Sequence, residues 1–246
     1  MRLETNALRA TPLDRVDALR LTYAEARAED VLAGVLAEFP GEVALVSSFG
    51  AEAAVLLNMV ADLDRDLPVL MIDSLMLFEE TLEYQRDLSR YLGLTNVQHL
   101  RPDPTDLARL DPDDTLHQRD PDACCVIRKV APLDRALRQW PVTISGRKRF
   151  QASTRAALDV FEADDSRLRV NPLAHWGPAD IRAYMDAHDL PRHPLVAKGY
   201  PSIGCAPCTT RVAPGEDERA GRWRGSEKVE CGIHFGADGR ILRVAS

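Results

Sequence analysis

The sequence predicts an α/β protein with a doubly wound, mostly parallel β-sheet and a C-terminal extension. Short apolar runs alternate with segments whose apolar residues recur at helical spacing, a pattern typical of parallel strands joined by crossover helices. Ser, Asp or Gly residues follow the runs, at the end of a parallel sheet where ligands bind. From about residue 190 onward Pro, Gly and Arg dominate, which indicates an extension beyond the sheet.

We expect three segments along the chain. Residues 1–40 form an N-terminal helical segment, because apolar residues recur at helical spacing over 13–39 and end at Pro40-Gly41. Residues 41–190 form a nucleotide-binding α/β domain, and residues 191–246 form the extension.

The elements of the predicted domain follow one another in order. Strands are predicted at 43–46, Val69–Ile72, Val97–Leu100 and Val142–Ser145. Helices are predicted after the first strand, around Val55 to Val60, and over about 78–92, 122–139 and 178–188. An Asp/Pro-rich connection is expected over 101–114.

Charge and composition limit the classes of function. The net charge of −7 disfavours a large nucleic-acid footprint, so anions must be bound by local basic clusters. Residues 1–14 lack the apolar core of a signal peptide and no run reaches membrane-spanning length, so we expect a cytoplasmic protein without a membrane partner. In that reducing compartment, cysteines favour metal or catalytic roles over disulfides. Homo-oligomerisation is left open.

Three polar segments are candidate anion sites. Residues 47–50 (Ser-Ser-Phe-Gly) lie between a strand and a helix, where backbone N–H groups and the helix dipole favour an anion. Residues 146–151 and 219–224 each concentrate three positive charges. The alternatives are an ordinary strand–helix turn, a solvated basic turn and a basic tail.

Five cysteines suggest a metal cluster and one additional thiol. Cys124-Cys125 and Cys205-x-x-Cys208 together supply four thiolates, which suits either zinc or an iron–sulfur cluster. Adjacent cysteines can bind different irons of a cubane more easily than one zinc ion, so a [4Fe-4S] cluster is favoured. Four buried structural thiols remain the alternative.

Cys231 is the thiol left over. Gly232 gives its backbone freedom, and His234 or a nearby Arg would favour the thiolate. We therefore expect Cys231 to carry the chemistry. The alternative is a free cysteine on a mobile tail.

The cysteine pattern resembles that of a known family, the assimilatory adenylyl-sulfate (APS) and phosphoadenylyl-sulfate (PAPS) reductases. The resemblance covers roughly residues 43–235 and is carried mainly by the Cys-Cys, Cys-x-x-Cys and Glu-Cys-Gly-Ile-His motifs. Weaker matches support it: 47–50, 126–129, 146–151 with Thr154-Arg155, 199–204 and 219–223. Asp73-Ser74-Leu75 stands where the family has Asp-Thr-Gly, which affects the loop after the second strand.

The resemblance implies an adenine-nucleotide α-hydrolase-like fold and roles for particular residues. It implies a [4Fe-4S] cluster on Cys124, Cys125, Cys205 and Cys208, with Cys231 as the nucleophile. Residues implied to contact substrate are Ser47, Ser48, Lys129, Arg149, Gln151, Arg219 and Arg222, to which we add His234.

The resemblance also implies a reaction. Members with all four cluster cysteines resemble APS reductases, so we expect APS to be reduced to sulfite and AMP through an S-sulfo-cysteine on Cys231. If the other thiols bind the cluster, a second thiol must come from outside, from thioredoxin or a glutaredoxin-like dithiol donor. The alternatives are the same reaction on PAPS and, more remotely, a non-catalytic nucleotide-binding zinc or redox-sensor protein.

Overall fold

Six strands form one mixed sheet. The structure is a computed structural model that describes residues 13–163, 167–225, 228 and 230. The strands are β1 Val43–Ser47, β2 Val69–Ile72, β3 Val97–Leu100, β4 Val142–Ser145, β5 Phe161–Ala163 and β6 Leu168–Val170. Their order is β3-β2-β1-β4-β6-β5, and neighbours are parallel except β5 and β6. The order reverses between β1 and β4, which makes the carboxyl ends of these two strands the expected ligand site.

Helices precede and follow the strands. The α-helices are α1 Val16–Thr22, α2 Ala28–Glu38, α3 Ala53–Leu63, α4 Glu79–Leu92, α5 Pro104–Leu110, α6 Leu116–Arg119, α7 Pro121–Cys125, α8 Ala131–Leu137, α9 Pro178–Ala187 and α10 Pro194–Ala197. None of the described helices has the length and apolar character that a membrane crossing requires.

Alternate residues of the central strands face two separate cores. In β1, Val43 and Leu45 pack in the larger core with α3 and α4, whereas Ala44 faces the smaller core. Leu70 of β2 also belongs to the smaller core, together with Leu133 and Leu137 of α8. Both faces of the central strands are therefore covered, which explains why their sequences are continuously apolar.

The predicted strands and most predicted helices are confirmed, and the structure adds elements that were not predicted. The connection 101–114 contains α5, because Asp103 caps it by accepting from the Thr105 N–H at 2.8 Å and Pro104 opens its first turn. Strands β5 and β6 are not predicted from sequence, since each has three residues and too short a pattern to detect.

The helix predicted over 122–139 is interrupted by an unusual turn. Helices α7 and α8 are joined by a π-helical turn at Val126–Val130, directly after Cys125. Such turns shift the helical register by one residue and are frequent at functional sites. Within this turn Arg128 and Lys129 are both buried.

The segment after α10 has little regular structure but is joined to the sheet domain through the loop after β2. Leu77 and Cys205 form an isolated antiparallel bridge, and the Ala206 N–H donates to the Met76 carbonyl at 2.8 Å. The segment is closed on itself by the Thr210 N–H, which donates to the Gly221 carbonyl at 2.8 Å. These bonds place residues 199–225, hereafter the thiol segment, over the carboxyl ends of the strands.

Candidate active site

A cavity of about 460 Å³ opens at the point where the strand order reverses. Its wall includes the loop after β1 with Ser47 and Ser48, the loop after β4 beginning at Gly146, and Ile203 of the thiol segment. The cavity therefore lies where a doubly wound sheet binds its ligand.

The loop after β1 is bent so that α3 begins at the cavity. Phe49 is fully buried in the left-handed backbone region at φ +48°, and its N–H donates to Ser47 Oγ at 3.2 Å. A buried aromatic residue in that conformation is strained, and such strain is typical of binding loops. Helix α3 starts directly afterwards, with Glu52 at its N-cap and Ala53 both on the cavity wall. Its N-terminal N–H groups and dipole favour an anion there.

A hydrogen-bonded chain joins this loop to the loop after β4. Glu52 Oε2 accepts from Lys148 Nζ at 2.8 Å and from Gln151 Nε2 at 3.0 Å. Lys148 is 2% exposed, and burial lowers its pKa against the opposing effect of Glu52. Gln151 and Lys148, both in the candidate anion segment 146–151, thus lie on the cavity wall, and Glu52 is a wall residue outside the predicted set.

Arg149 lies apart from this group. Its side chain is exposed, its Nε donates to the Leu158 carbonyl at 2.6 Å, and it is absent from the described cavity wall. The structure therefore does not bring Arg149 together with the other predicted substrate residues.

The cavity is basic although the protein is acidic. Among the described wall residues, the basic side chains are Lys129, Arg147, Lys148, Arg155, Arg167, Arg169, Arg219 and Arg222, and the acidic ones are Glu52, Asp217, Glu218 and Glu230. Eight positive charges therefore face four negative ones, in a chain whose net charge is −7. Clefts lined by one sign of charge concentrate ligands of the opposite sign, so an anionic ligand is indicated.

Arg222 is fixed by the thiol segment. Its guanidinium lies over the Trp223 ring with 4.5 Å to the ring centroid, and Nη1 donates to the Ile203 carbonyl at 3.2 Å. A Cβ on Gly204 would lie 2.2 Å from Arg222 Nη2, so glycine is what allows the guanidinium to pack against this loop.

The two predicted cysteine pairs come together beside the cavity. Cys124, Cys125 and Cys205 are buried, and Cys208 is partly exposed. Burial, then Cys125, raises the pKa of Cys124 to about 12; Arg128 opposes this, and Cys205 and Cys208 add to it. Thiols that shift one another's pKa lie within electrostatic range, so the chain has gathered four cysteines distant in sequence.

The loop after β2 supports this group. Ser74 Oγ lies 3.0 Å from Cys205 Sγ, and the Ser74 carbonyl accepts from Arg128 Nη1 at 3.2 Å. Arg128, 2% exposed, donates Nε at 3.1 Å and Nη2 at 2.6 Å to Asp111 Oδ2. This buried pair ties the π-helical turn to the end of α5, and the Ser74 bond ties the same turn to the loop after β2. The pair was not predicted, because nothing in the sequence spacing joins Asp111 to Arg128.

The four thiols are the candidate ligands for a metal group. Across residues 13–163, 167–225, 228 and 230, no three His, Cys, Asp or Glu side chains are close enough to hold one ion. In a cubane each thiolate binds a different iron, so its ligands are spaced more widely. The side-chain groups Trp223 Nε1 and Arg222 Nε are buried without an acceptor in the described structure. The backbone N–H of Trp223 donates to the Cys208 carbonyl. Buried donors beside four thiols fit an electron-rich group at this place.

The described chain ends at Glu230, on the cavity wall. Glu230 Oε1 accepts from Arg155 Nε at 2.8 Å, Oε2 accepts from Arg155 Nη2 at 3.0 Å, and Arg219 Nη2 lies 3.5 Å from Oε2. Arg155 and Glu230 lie in two motifs that support the family resemblance, Thr154-Arg155 and Glu230-Cys231-Gly232. Neither residue was among the predicted site residues. The predicted nucleophile Cys231 and the predicted substrate residue His234 lie outside the described residues.

The strand order and the basic cavity at its reversal point are those of a doubly wound α/β protein that binds an anionic ligand at the carboxyl ends of its strands. Residues 42–211 match the phosphoadenosine phosphosulfate reductase domain, and the chain belongs to that family. It is 57% identical over 197 residues to an adenosine 5′-phosphosulfate reductase from Mesorhizobium japonicum, covering 80% of this chain and 78% of that protein. It is 49% identical over 234 residues to one from Chelativorans sp., covering 93% and 96%. The crystal structure of a phosphoadenylyl-sulfate reductase from Candida auris superposes with a TM-score of 0.68 over 82% of this chain and 98% of that one; its 24% identity supports the fold alone.

Proposed function

We propose that this protein reduces APS to sulfite and AMP, in sulfate assimilation for cysteine biosynthesis, with electrons from a thioredoxin or glutaredoxin-like dithiol. The observation that carries the proposal is the basic cavity at the reversal of the sheet, with Cys205 on its wall and the other three thiols grouped with Cys205. The relatives named adenosine 5′-phosphosulfate reductase, with which it shares up to 57% identity, support the substrate.

Binding is assigned to the wall residues. Ser47, Ser48 and the N-terminus of α3 receive the nucleotide, with Gln151 held at their side by Glu52. Lys129, Arg219 and Arg222 face the phosphosulfate, whose charge calls for fixed cations in a partly dry cleft. Arg149 contributes less in this proposal than in the sequence prediction, because its guanidinium is bonded outside the wall.

In the first step the Cys231 thiolate attacks the sulfur of APS. A bond forms between Cys231 Sγ and the sulfonyl sulfur, the sulfur–oxygen bond to AMP breaks, and AMP leaves with that electron pair. The product is an S-sulfo-cysteine. Positive charges near the departing phosphate stabilise the developing charge. Because Glu230 is anchored at the cavity and a Cα–Cα step is about 3.8 Å, that anchor supports assigning the attack to residue 231.

In the second step the donor thiolate attacks Cys231 Sγ. The sulfur–sulfur bond breaks, sulfite leaves with the electron pair, and an enzyme–donor disulfide forms. The second thiol of the donor then attacks the donor sulfur of that disulfide and releases the Cys231 thiolate. The dithiol becomes a disulfide and supplies the two electrons that convert the sulfonyl group to sulfite.

Cys124, Cys125, Cys205 and Cys208 would hold a [4Fe-4S] cluster. That group would supply a local field beside Lys129 and Arg222 and a covalent tie between the π-helical turn and the thiol segment. Reduced thiols of this kind are expected in the cytoplasm, which is the compartment we propose.

The test is anaerobic turnover with reduced thioredoxin, scoring sulfite from APS and from PAPS in parallel. We expect sulfite mainly from APS. Sulfite mainly from PAPS would support the same reaction with PAPS as the substrate. The name of the matched family favours this second candidate. No sulfite from either nucleotide, with iron and acid-labile sulfide present in the protein, would refute the proposed function and favour a non-catalytic nucleotide-binding or redox-sensing role.

A further inference from the structure

A continuous chain of polar contacts crosses the cavity wall from Glu230 to the loop after β1. Glu230 is paired with Arg155, whose Nη1 donates to Gln151 Oε1. Gln151 Nε2 donates at 3.0 Å to Glu52, which also accepts from Lys148 Nζ. The binding loop and the residue preceding Cys231 are therefore joined through side chains on three different parts of the chain.

We infer that Glu230 is a positioning residue, which holds the segment bearing the nucleophile at the cavity through Arg155. This inference rests on the proposed function, because it concerns the attack of Cys231 on APS. Glu230 itself is not assigned any contact with substrate, and its effect acts through the backbone of its neighbour.

The geometry of the Arg155–Glu230 pair suits this role. Two nearly parallel N–H···O bonds, at 2.8 and 3.0 Å, fix both the distance and the orientation of the carboxylate. The side chains are 10% and 13% exposed, so solvent screens this pair much less than a surface ion pair. An exposed ion pair could not hold a chain segment as firmly.

The same hydrogen-bonded network orients Arg155 so that it can pair with Glu230. Gln151 Oε1 accepts from Arg155 and, at 3.2 Å, from the Lys148 N–H, so the guanidinium is oriented by the loop after β4. Since Gln151 and Glu52 also line the nucleotide end of the cavity, binding there and placement of Glu230 share one network. We expect the two events to be coupled.

The test compares Glu230→Ala with a matched control, Glu216→Ala. Glu216 forms a similar two-bond pair in the thiol segment, with Arg224 Nη1 at 3.0 Å and Nη2 at 2.8 Å, but it does not lie on the described cavity wall. Two quantities are measured: the rate constant for S-sulfo-cysteine formation at saturating APS without donor, and the dissociation constant of APS in a Cys231→Ser background.

For Glu230→Ala we expect the rate constant to fall roughly 100-fold, the cost of misplacing a reacting group by about an ångström. The dissociation constant of APS should change less than about threefold, and the control should leave both quantities unchanged. A purely structural role would move iron content, the far-UV spectrum or APS affinity together with the rate, so these are measured as well.

A double-mutant cycle isolates the contact. Once Glu230 is removed, Arg155→Ala should cause little further loss in the rate constant, because the two residues act as a unit. The exchanged pair Arg155→Glu with Glu230→Arg should regain part of the rate that either single exchange loses. Additive losses and no regain would overturn the inference.

The outcomes separate this inference from the proposed function. A wild-type protein that forms no S-sulfo-cysteine with APS refutes the proposed function. A wild-type protein that forms it, together with an unaffected Glu230→Ala, refutes the positioning role alone. Tighter APS binding in Glu230→Ala without a slower first step would show that the carboxylate competes with the substrate anion, and would also overturn the positioning role.

Discussion

The sheet domain and the thiol segment are held in shape by different forces. Strands β1 and β2 are buried on both faces between two apolar cores. The thiol segment has no strand or α-helix among its described residues, and backbone bonds, one three-residue turn at Ala206–Cys208 and Arg222 stacked on Trp223 maintain its path. Burial of apolar surface thus determines the first region, whereas a few polar contacts and the proposed cluster determine the second. Changes to the cysteines should therefore abolish activity while leaving the sheet folded.

The largest effect is expected from Cys231→Ser. Without the thiolate no S-sulfo-cysteine forms, so sulfite production should fall by more than about 10³-fold. Iron content and APS affinity should stay at wild-type levels, because the proposed cluster ligands are Cys124, Cys125, Cys205 and Cys208. Steady-state sulfite assays and equilibrium APS binding measure this, and substantial residual sulfite would remove Cys231 from the mechanism.

Cys208→Ser should affect the thiol segment and leave the sheet domain folded. It removes one of the four thiols, so the cluster should be lost and sulfite production with it. The far-UV circular dichroism should stay close to wild type, because both apolar cores lie in the sheet domain. Iron analysis scores the ligand role, and a variant with full iron and full activity would exclude Cys208 as a ligand.

Low pH should lower the stability of the fold at the junction between the sheet domain and the thiol segment. His193 is 1% exposed, caps α10 by accepting from the Leu195 N–H, and lies 3.1 Å from Thr81 of α4. Burial lowers the pKa of His193 to about 4, with Glu80 opposing. Between pH 6.5 and about 4 the unfolded chain takes up a proton that the folded chain does not, so stability falls as pH falls, by about 3 kcal/mol in total.

Urea unfolding at several pH values measures this dependence. His193→Asn keeps a side chain able to cap the helix but cannot titrate, so its stability should depend less on pH in that window. An identical dependence in the variant and the wild type would show that His193 is not the group responsible.

Gly221→Ala should disturb the thiol segment alone. A Cβ there would lie 2.2 Å from the Thr210 carbonyl oxygen, a backbone atom that cannot move aside freely. We expect a local cost of about 1–3 kcal/mol, faster hydrogen exchange in residues 199–225, and reduced activity. Exchange in β1 and β2 serves as the internal control, and faster exchange throughout the sheet would contradict the independence of the two regions.

The smallest expected effect is a gain, from Leu75→Gly. Leu75 adopts φ +59° at the position where the resembling family has glycine, and it is 52% exposed. Relief of this strain should stabilise the fold by about 1 kcal/mol, measured by thermal or urea unfolding. The same change at another exposed leucine, Leu110→Gly, should be destabilising instead, since Leu110 lies in the helical backbone of α5.

Sequence patterns predicted the sheet domain well because burial repeats regularly along it. Val69–Ile72, Val97–Leu100 and Val142–Ser145 agree with the structure at both ends, since each strand is bounded by polar or turn residues. The pairing of β5 with β6 involves three residues in each strand, which are too few to show the alternation that predicts a strand.

Some residues of the site could likewise be predicted from sequence motifs, whereas others could not. The cysteines and the Ser47-Ser48 loop were recognisable as motifs, because their chemistry is evident in consecutive letters. The Asp111–Arg128 and Arg155–Glu230 pairs join residues 17 and 75 positions apart, and nothing local to either residue specifies its partner. Contacts of this kind require the fold before they can be found.

The most direct test of the central claim is a single turnover with ³⁵S-labelled APS and no thiol donor, followed by mass spectrometry of the digested protein. The account predicts that label stays on the protein at Cys231, with AMP released in equal amount, and that reduced thioredoxin then frees the label as sulfite. Label on a different cysteine, or sulfite released before any donor is added, would contradict it.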